Sequence, residues 1–105
     1  MVLGNSNRII EFIREEAARE STIDKVVLFG SRARGDHTEK SDFDIAIYAS
    51  QMSDLQWARW SLDLKEAVPT LCGLDLILVT SSLAASLLGS IKQDGIVIYE
   101  RLQTK

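Results

Sequence analysis

The stretch Val26–Ile47, VVLFGSRARGDHTEKSDFDIAI, decides how the chain is read. Its apolar start, Val26 to Phe29, reads as a strand that breaks at Gly30-Ser31 into a short polar turn, and a second strand opens with Asp42 and Asp44. Side chains alternate along a strand, so the two aspartates either side of Phe43 project from one face. Like charges held that close repel each other and resist desolvation, and a fold that places them together ordinarily has a divalent cation between them. A glycine-serine turn that opens a helix offers backbone N–H groups, a hydroxyl and the positive end of a helix dipole to a phosphate. Cation and phosphate would then share one site.

On the N-terminal side, Arg8 to Glu20 places Ile9, Ile10, Ile13 and Ala17 at helical spacing, with Glu11, Arg14 and Glu15 on other faces, which predicts an amphipathic helix. Asn5, Ser6 or Asn7 could cap it, and Lys25 to Phe29 is the first strand. On the C-terminal side the second strand runs from Asp44 to Ala49. Ser53 and Gln56 then form a capping box, so a helix runs from Ser53 until Pro69 forces an end. Trp57, Trp60, Leu64, Ala67 and Val68 share one face of it, while Leu55, Ala58 and Leu62 make a second apolar stripe. Two readings of that stripe stay open: both faces are tucked inside, or the second one meets another protein.

Leu74 to Val79 is a third strand, apolar except for Asp75, whose carboxylate must face solvent, a cation or a partner charge. Ser81 to Lys92 carries Leu83, Leu87, Leu88 and Ile91 at helical spacing, with Ser81 or Ser82 as cap and Gly95 as stop. Ile96 to Glu100 is a last strand, and Arg101 to Lys105 a frayed tail. The expected fold class is α+β, a small mixed sheet of about four strands with helices packed on it.

A chain of 105 residues fits one domain, 1–105. Apolar residues at 46% and charged residues at 26% are ordinary for a soluble globular protein and point neither to disorder nor to a membrane protein. The formal net charge of −3 argues against a basic surface that displaces counterions, so no direct nucleic-acid binding is expected, although a nucleotide with its own cation would be accepted. Cys72 is the single cysteine and allows no internal disulfide, and MVLGNSNRIIEFIREE holds no apolar run of signal-peptide length. Both features point to the cytoplasm.

Gly30-Ser31, the run Arg32 to Ser41, then Asp42-Phe43-Asp44 resembles the signature of the nucleotidyltransferase superfamily typified by the palm of DNA polymerase beta. The fuller pattern, GSRARGD followed by SDFDIAI, resembles its small branch, the minimal nucleotidyltransferases. The resemblance implies a palm-like fold whose first two strands pair antiparallel, and a third acid on a neighbouring strand, where Asp75 matches. It implies Mg2+ held by Asp42, Asp44 and Asp75, with a nucleoside triphosphate, ATP in this branch, gripped by Gly30 and Ser31. Arg32 and Arg34 add planar forks that suit phosphate oxygens. Those arginines would point about 200° apart on a helix, so only one is expected to reach the phosphates.

The reaction implied is attack of an acceptor hydroxyl on the α-phosphate with loss of pyrophosphate. Minimal nucleotidyltransferases are often paired with small helical HEPN-type partners, as antitoxins that transfer AMP onto a tyrosine of the partner toxin. The extra domains of larger relatives are missing from these residues, so the acceptor is expected to be small or to be presented by another protein. Two other readings stay open: a nucleotide-holding antitoxin or subunit that acts by contact without turnover, and the catalytic subunit of a small-molecule, aminoglycoside-type transferase.

Overall fold

Residues 4–68 and 73–102 are described by the computed structural model. Along them run α1 (Gly4–Arg19), β1 (Lys25–Phe29), α2 (Ser31–Arg34), β2 (Phe43–Tyr48), α3 (Asp54–Ala67), β3 (Leu74–Leu78), α4 (Ala85–Asp94) and β4 (Ile96–Glu100). The strands form one mixed sheet in the order β3-β2-β1-β4. β1 pairs antiparallel with β2 and with β4, while β2 and β3 run parallel. A parallel pair needs a crossover, and α3 lies within it.

Alternation along the strands divides the sheet into two unequal faces. Val26, Leu28, Phe43, Ile45, Ile47 and Leu74 point to one side, where Ile9, Ile13 and Ala17 of α1 and Leu64 of α3 complete the larger core. Each such side chain larger than alanine taken out of water contributes roughly 1.5–3 kcal/mol, which makes this layer the main source of stability. Val27, Phe29 and Ala46 point to the other side and pack with Ile91 of α4. Asp42, Asp44 and Asp75 lie on that second face, at the end where β2 and β3 begin.

The capping box expected at Ser53 is formed: the Gln56 N–H donates to Ser53 Oγ at 3.1 Å and the Ser53 N–H to Gln56 Oε1 at 2.7 Å. Pro69, the expected stop, and Cys72 lie outside the described residues. Leu64 and Val68 of the first stripe are buried, and Trp57 and Trp60, with ring centroids 6.3 Å apart, are half-buried against the same core. Ala67, expected with them, is exposed. The second stripe stays at the surface, with Leu55 74% and Leu62 57% exposed.

Two expectations need correction. α4 starts at Ala85 rather than Ser81, and its N-cap is Ala84 with no capping side chain. Ser82 shares a hydrogen bond with Thr80 at 3.2 Å, so the serines close a turn before the helix instead of capping it. The supposed frayed end is anchored at Arg101, whose Nε donates to the Ile23 carbonyl at 3.0 Å, Nη2 to the Glu20 carbonyl at 2.8 Å and backbone N–H to the Asp24 carbonyl at 2.9 Å. No helix among the described residues is long and apolar enough to cross a membrane.

Candidate active site

β1 ends at Phe29, and the chain turns at once at Gly30, whose φ of 78° is in the left-handed region that glycine adopts without strain. Glycine is needed here for a second reason: a Cβ would overlap the Oδ2 of Asp44. The turn therefore lies directly against the first carboxylate of β2. α2 follows as a single turn, closed by the Ala33 and Arg34 N–H groups on the Gly30 carbonyl at 3.1 and 3.0 Å. The Ser31 hydroxyl makes no hydrogen bond to the described residues.

The parallel register of β2 and β3 sets Asp44 opposite Asp75, in a row that continues to Phe29 of β1. Asp42 precedes β2 on the same face. Gly73 stands beside it, where a Cβ would overlap Asp42 Oδ1, so a second glycine leaves room for a second carboxylate. Asp44 is half-buried, while Asp42 and Asp75 are open to water. Burial pushes the Asp44 carboxyl above its ordinary value, and the negative charges of Asp75 and Asp42 with a hydrogen bond to Asp75 push it further. The charge of Arg34 opposes this in part. Such strain among acids is what a bound cation relieves.

Among the described residues no three His, Cys, Asp or Glu side chains are drawn together tightly enough to hold a metal ion by themselves. Magnesium does not need such a cage: it is usually held by one or two carboxylates, with water and substrate phosphates completing its octahedron. All-oxygen donors, a carboxyl strained by its neighbours and two glycines that clear space around the acids suit that mode of binding.

The two arginines of the turn part company, as their spacing predicts. Arg32 bends back under the loop that follows α2, where its Nε donates to the Ser41 carbonyl at 3.0 Å and its Nη2 to the carbonyls of Glu39 and Thr38 at 3.1 and 3.4 Å. Its guanidinium also lies 4.0 Å from the centroid of the buried Phe43 ring. Arg34 instead bonds Asp36 and Asp94, both at 3.1 Å, and its charge reaches Asp44. Asp94 and Gly73 escaped the sequence reading. The Asp94-Gly95 pair before the last strand was the available sign of the first, and Gly73 two residues before Asp75 the sign of the second.

An open cavity of about 350 Å³ lies at the opposite end of β1 and β2, among Asp24, Lys25, Tyr48, Ser50, Glu100 and Arg101. Its polar groups are largely engaged with one another: Asp24 accepts from Ser50, Arg101 is tied to backbone carbonyls and Lys25 Nζ sits 4.5 Å from the centre of the Tyr48 ring.

The mixed sheet thus presents paired carboxylates beside a glycine-serine turn. The chain belongs to the polymerase beta nucleotidyltransferase family, whose model it matches over residues 10–104. The "Putative protein adenylyltransferase" of Methanocaldococcus jannaschii is 47% identical to it over 53 residues, 46% of this chain and 54% of that protein. The match thus spans about half the length of that curated relative. A toxin–antitoxin crystal structure with AMP-PNP superposes with a TM-score of 0.66 at 24% identity, covering 95% of this chain and 77% of that one. A tri-AMPylated Shewanella oneidensis HEPN toxin in complex with its MNT antitoxin gives 0.58 at 21%, covering 92% and 71%. These two likenesses are of fold.

Proposed function

We propose that this protein is a magnesium-dependent nucleotidyltransferase that moves AMP from ATP onto a partner protein, as the antitoxin of a cytoplasmic HEPN/MNT toxin–antitoxin pair. The observation that carries the reading is the row of Asp44 and Asp75 across adjacent strands, with Asp42 beside it and the Gly30-Ser31 turn packed against Asp44. Family membership supports nucleotidyl transfer. The relative named for protein adenylylation and the toxin–antitoxin neighbours support the choice of AMP and of a HEPN-type partner.

Asp42, Asp44 and Asp75 would hold magnesium, which when bound neutralises phosphate charge and makes an attacking hydroxyl more acidic. Gly30 lets the triphosphate approach the backbone, and the Ser31 N–H and hydroxyl donate to its β- and γ-phosphates so that the leaving group stays in line. Arg34 adds a planar cation for phosphate oxygens. Arg32 acts on the shape of the loop. The acceptor's hydroxyl oxygen bonds to the α-phosphorus as the bond from that phosphorus to the bridging oxygen breaks, releasing pyrophosphate. Asp75 takes or orients the hydroxyl proton.

The test is incubation of the protein and its co-purifying partner with magnesium and ATP labelled at the α-phosphate. Label is expected on the partner, and Asp42→Asn, still folded by circular dichroism, is expected to abolish it. Unchanged transfer by that variant would remove the role of the carboxylates. ATP binding with no transfer would leave an antitoxin acting by contact, and label confined to a small molecule would make the chain a small-molecule transferase subunit.

A further inference from the structure

Arg34 is the last residue of α2, a turn that buries no side chain of its own. Its fork is shared between two carboxylates of different standing. Asp36, two residues on, is 63% exposed at its side chain, whereas Asp94 is 16% exposed and 60 residues away in sequence. Asp94 is also firmly placed. It ends α4, whose Ile91 is buried against β1, and the next residue, Gly95, packs so closely that a Cβ would overlap the Ile91 carbonyl and come within 2.7 Å of Val27 Cγ1. The bond from Arg34 Nη1 to Asp94 therefore ties a surface turn to the core of the sheet.

A guanidinium whose charge reaches Asp44 is drawn toward that carboxylate, because its planar donors match a carboxylate's two oxygens. Seated there, it would occupy the place of a cation. With Nε given to Asp36 and Nη1 to Asp94, the fork cannot turn two donors onto Asp44, and Nη2 has no hydrogen bond within the described residues. We infer that Asp94 is a positioning residue for nucleotide binding: it holds Arg34 beside the acids, and off them, with one edge of the guanidinium directed to phosphate oxygens. This deepens the nucleotidyltransferase reading and rests on it.

The opposite device would be a latch, in which Asp94 competes with phosphate for Arg34. The two differ in sign, and calorimetric titration of ATP with magnesium into the full chain separates them. Asp94→Asn is expected to weaken ATP about ten-fold, the scale of one charge-assisted hydrogen bond. Asp94→Glu should recover most of that affinity. Arg34→Gln should lose a similar amount, and Asp94→Asn added to it should cost nothing more, while the thermal midpoint moves little because the pair is partly exposed. Unchanged or tighter binding by Asp94→Asn, or losses that add, would overturn the assignment while leaving the transferase reading intact. A wild-type chain that binds no ATP would overturn both.

Discussion

The two faces of β2 make a comparison within six residues. Phe43, Ile45 and Ile47 are 2%, 0% and 0% exposed and stand in the larger core, while Asp44, Ala46 and Tyr48 point to the side that bears the acids. A shift of register by one residue would exchange them, putting a carboxylate into the core and an isoleucine at the site. The buried face thus fixes the register that aligns Asp44 with Asp75. On the proposed function Asp44 serves the chemistry and the isoleucines of β2 the larger core, so substitutions of Asp44 and of Ile45 should have separable consequences.

The largest effect belongs to the buried face. Ile45→Ala removes a fully enclosed side chain and should cost about 2–5 kcal/mol, a large part of the 5–15 kcal/mol by which a domain of this size is stable. Urea unfolding measures it. A loss below about 1 kcal/mol would show that the α1 side of the sheet is not its anchor. The molecules that remain folded should bind ATP as the wild type does.

A smaller effect is expected from Arg32, which contributes to both sides of the comparison by resting on Phe43 while shaping the loop that leads to Asp42. Arg32→Gln gives up the ring contact and most of the bonds to the Ser41, Glu39 and Thr38 carbonyls. The expected loss is about 1–2 kcal/mol, with faster proteolytic cleavage between residues 35 and 42. An Arg32→Gln protein as stable and as protease-resistant as the wild type would show that the loop holds its shape unaided.

What local pattern could carry, the sequence carried. β1 and β4 begin and end where their apolar runs and the Gly30 break place them, and the helix after Ser53 follows from two residues that cap each other. Asp42 and Asp44 were legible as a pair because their spacing alone sets them on one face. Asp75 was different: an isolated acid in an apolar strand could face water, and only the likeness to a family placed it opposite Asp44. What stayed hidden depends on contacts distant in the chain. Arg101 bonds carbonyls 78 and 81 residues earlier, and Asp94 bonds an arginine 60 residues earlier. No periodicity reports such pairs. The start of α4 was misplaced for a local reason, since serines that favour caps also favour turns.

The finest test of the two faces is the effect of pH on the apo protein. Folding raises the Asp44 carboxyl above the ordinary carboxylate value of 3.8, chiefly by burial and by the charges of Asp75 and Asp42. Between the unfolded and the folded value the native state holds more protons than the unfolded one, so stability falls as pH rises through that interval and stays lowered above it. Asp44→Asn removes the titrating group. In EDTA at neutral pH the variant should therefore melt above the wild type, by at most about 1 kcal/mol once screening by water is allowed for, and the advantage should vanish as pH falls below the ordinary carboxylate range. Magnesium should narrow the gap by raising the wild type alone, because a cation relieves the repulsion that the asparagine has already removed. A wild type that melts above Asp44→Asn in EDTA at neutral pH would mean that the second face is held together by its acids, as the first is by its isoleucines, and that the division of labour along β2 does not exist.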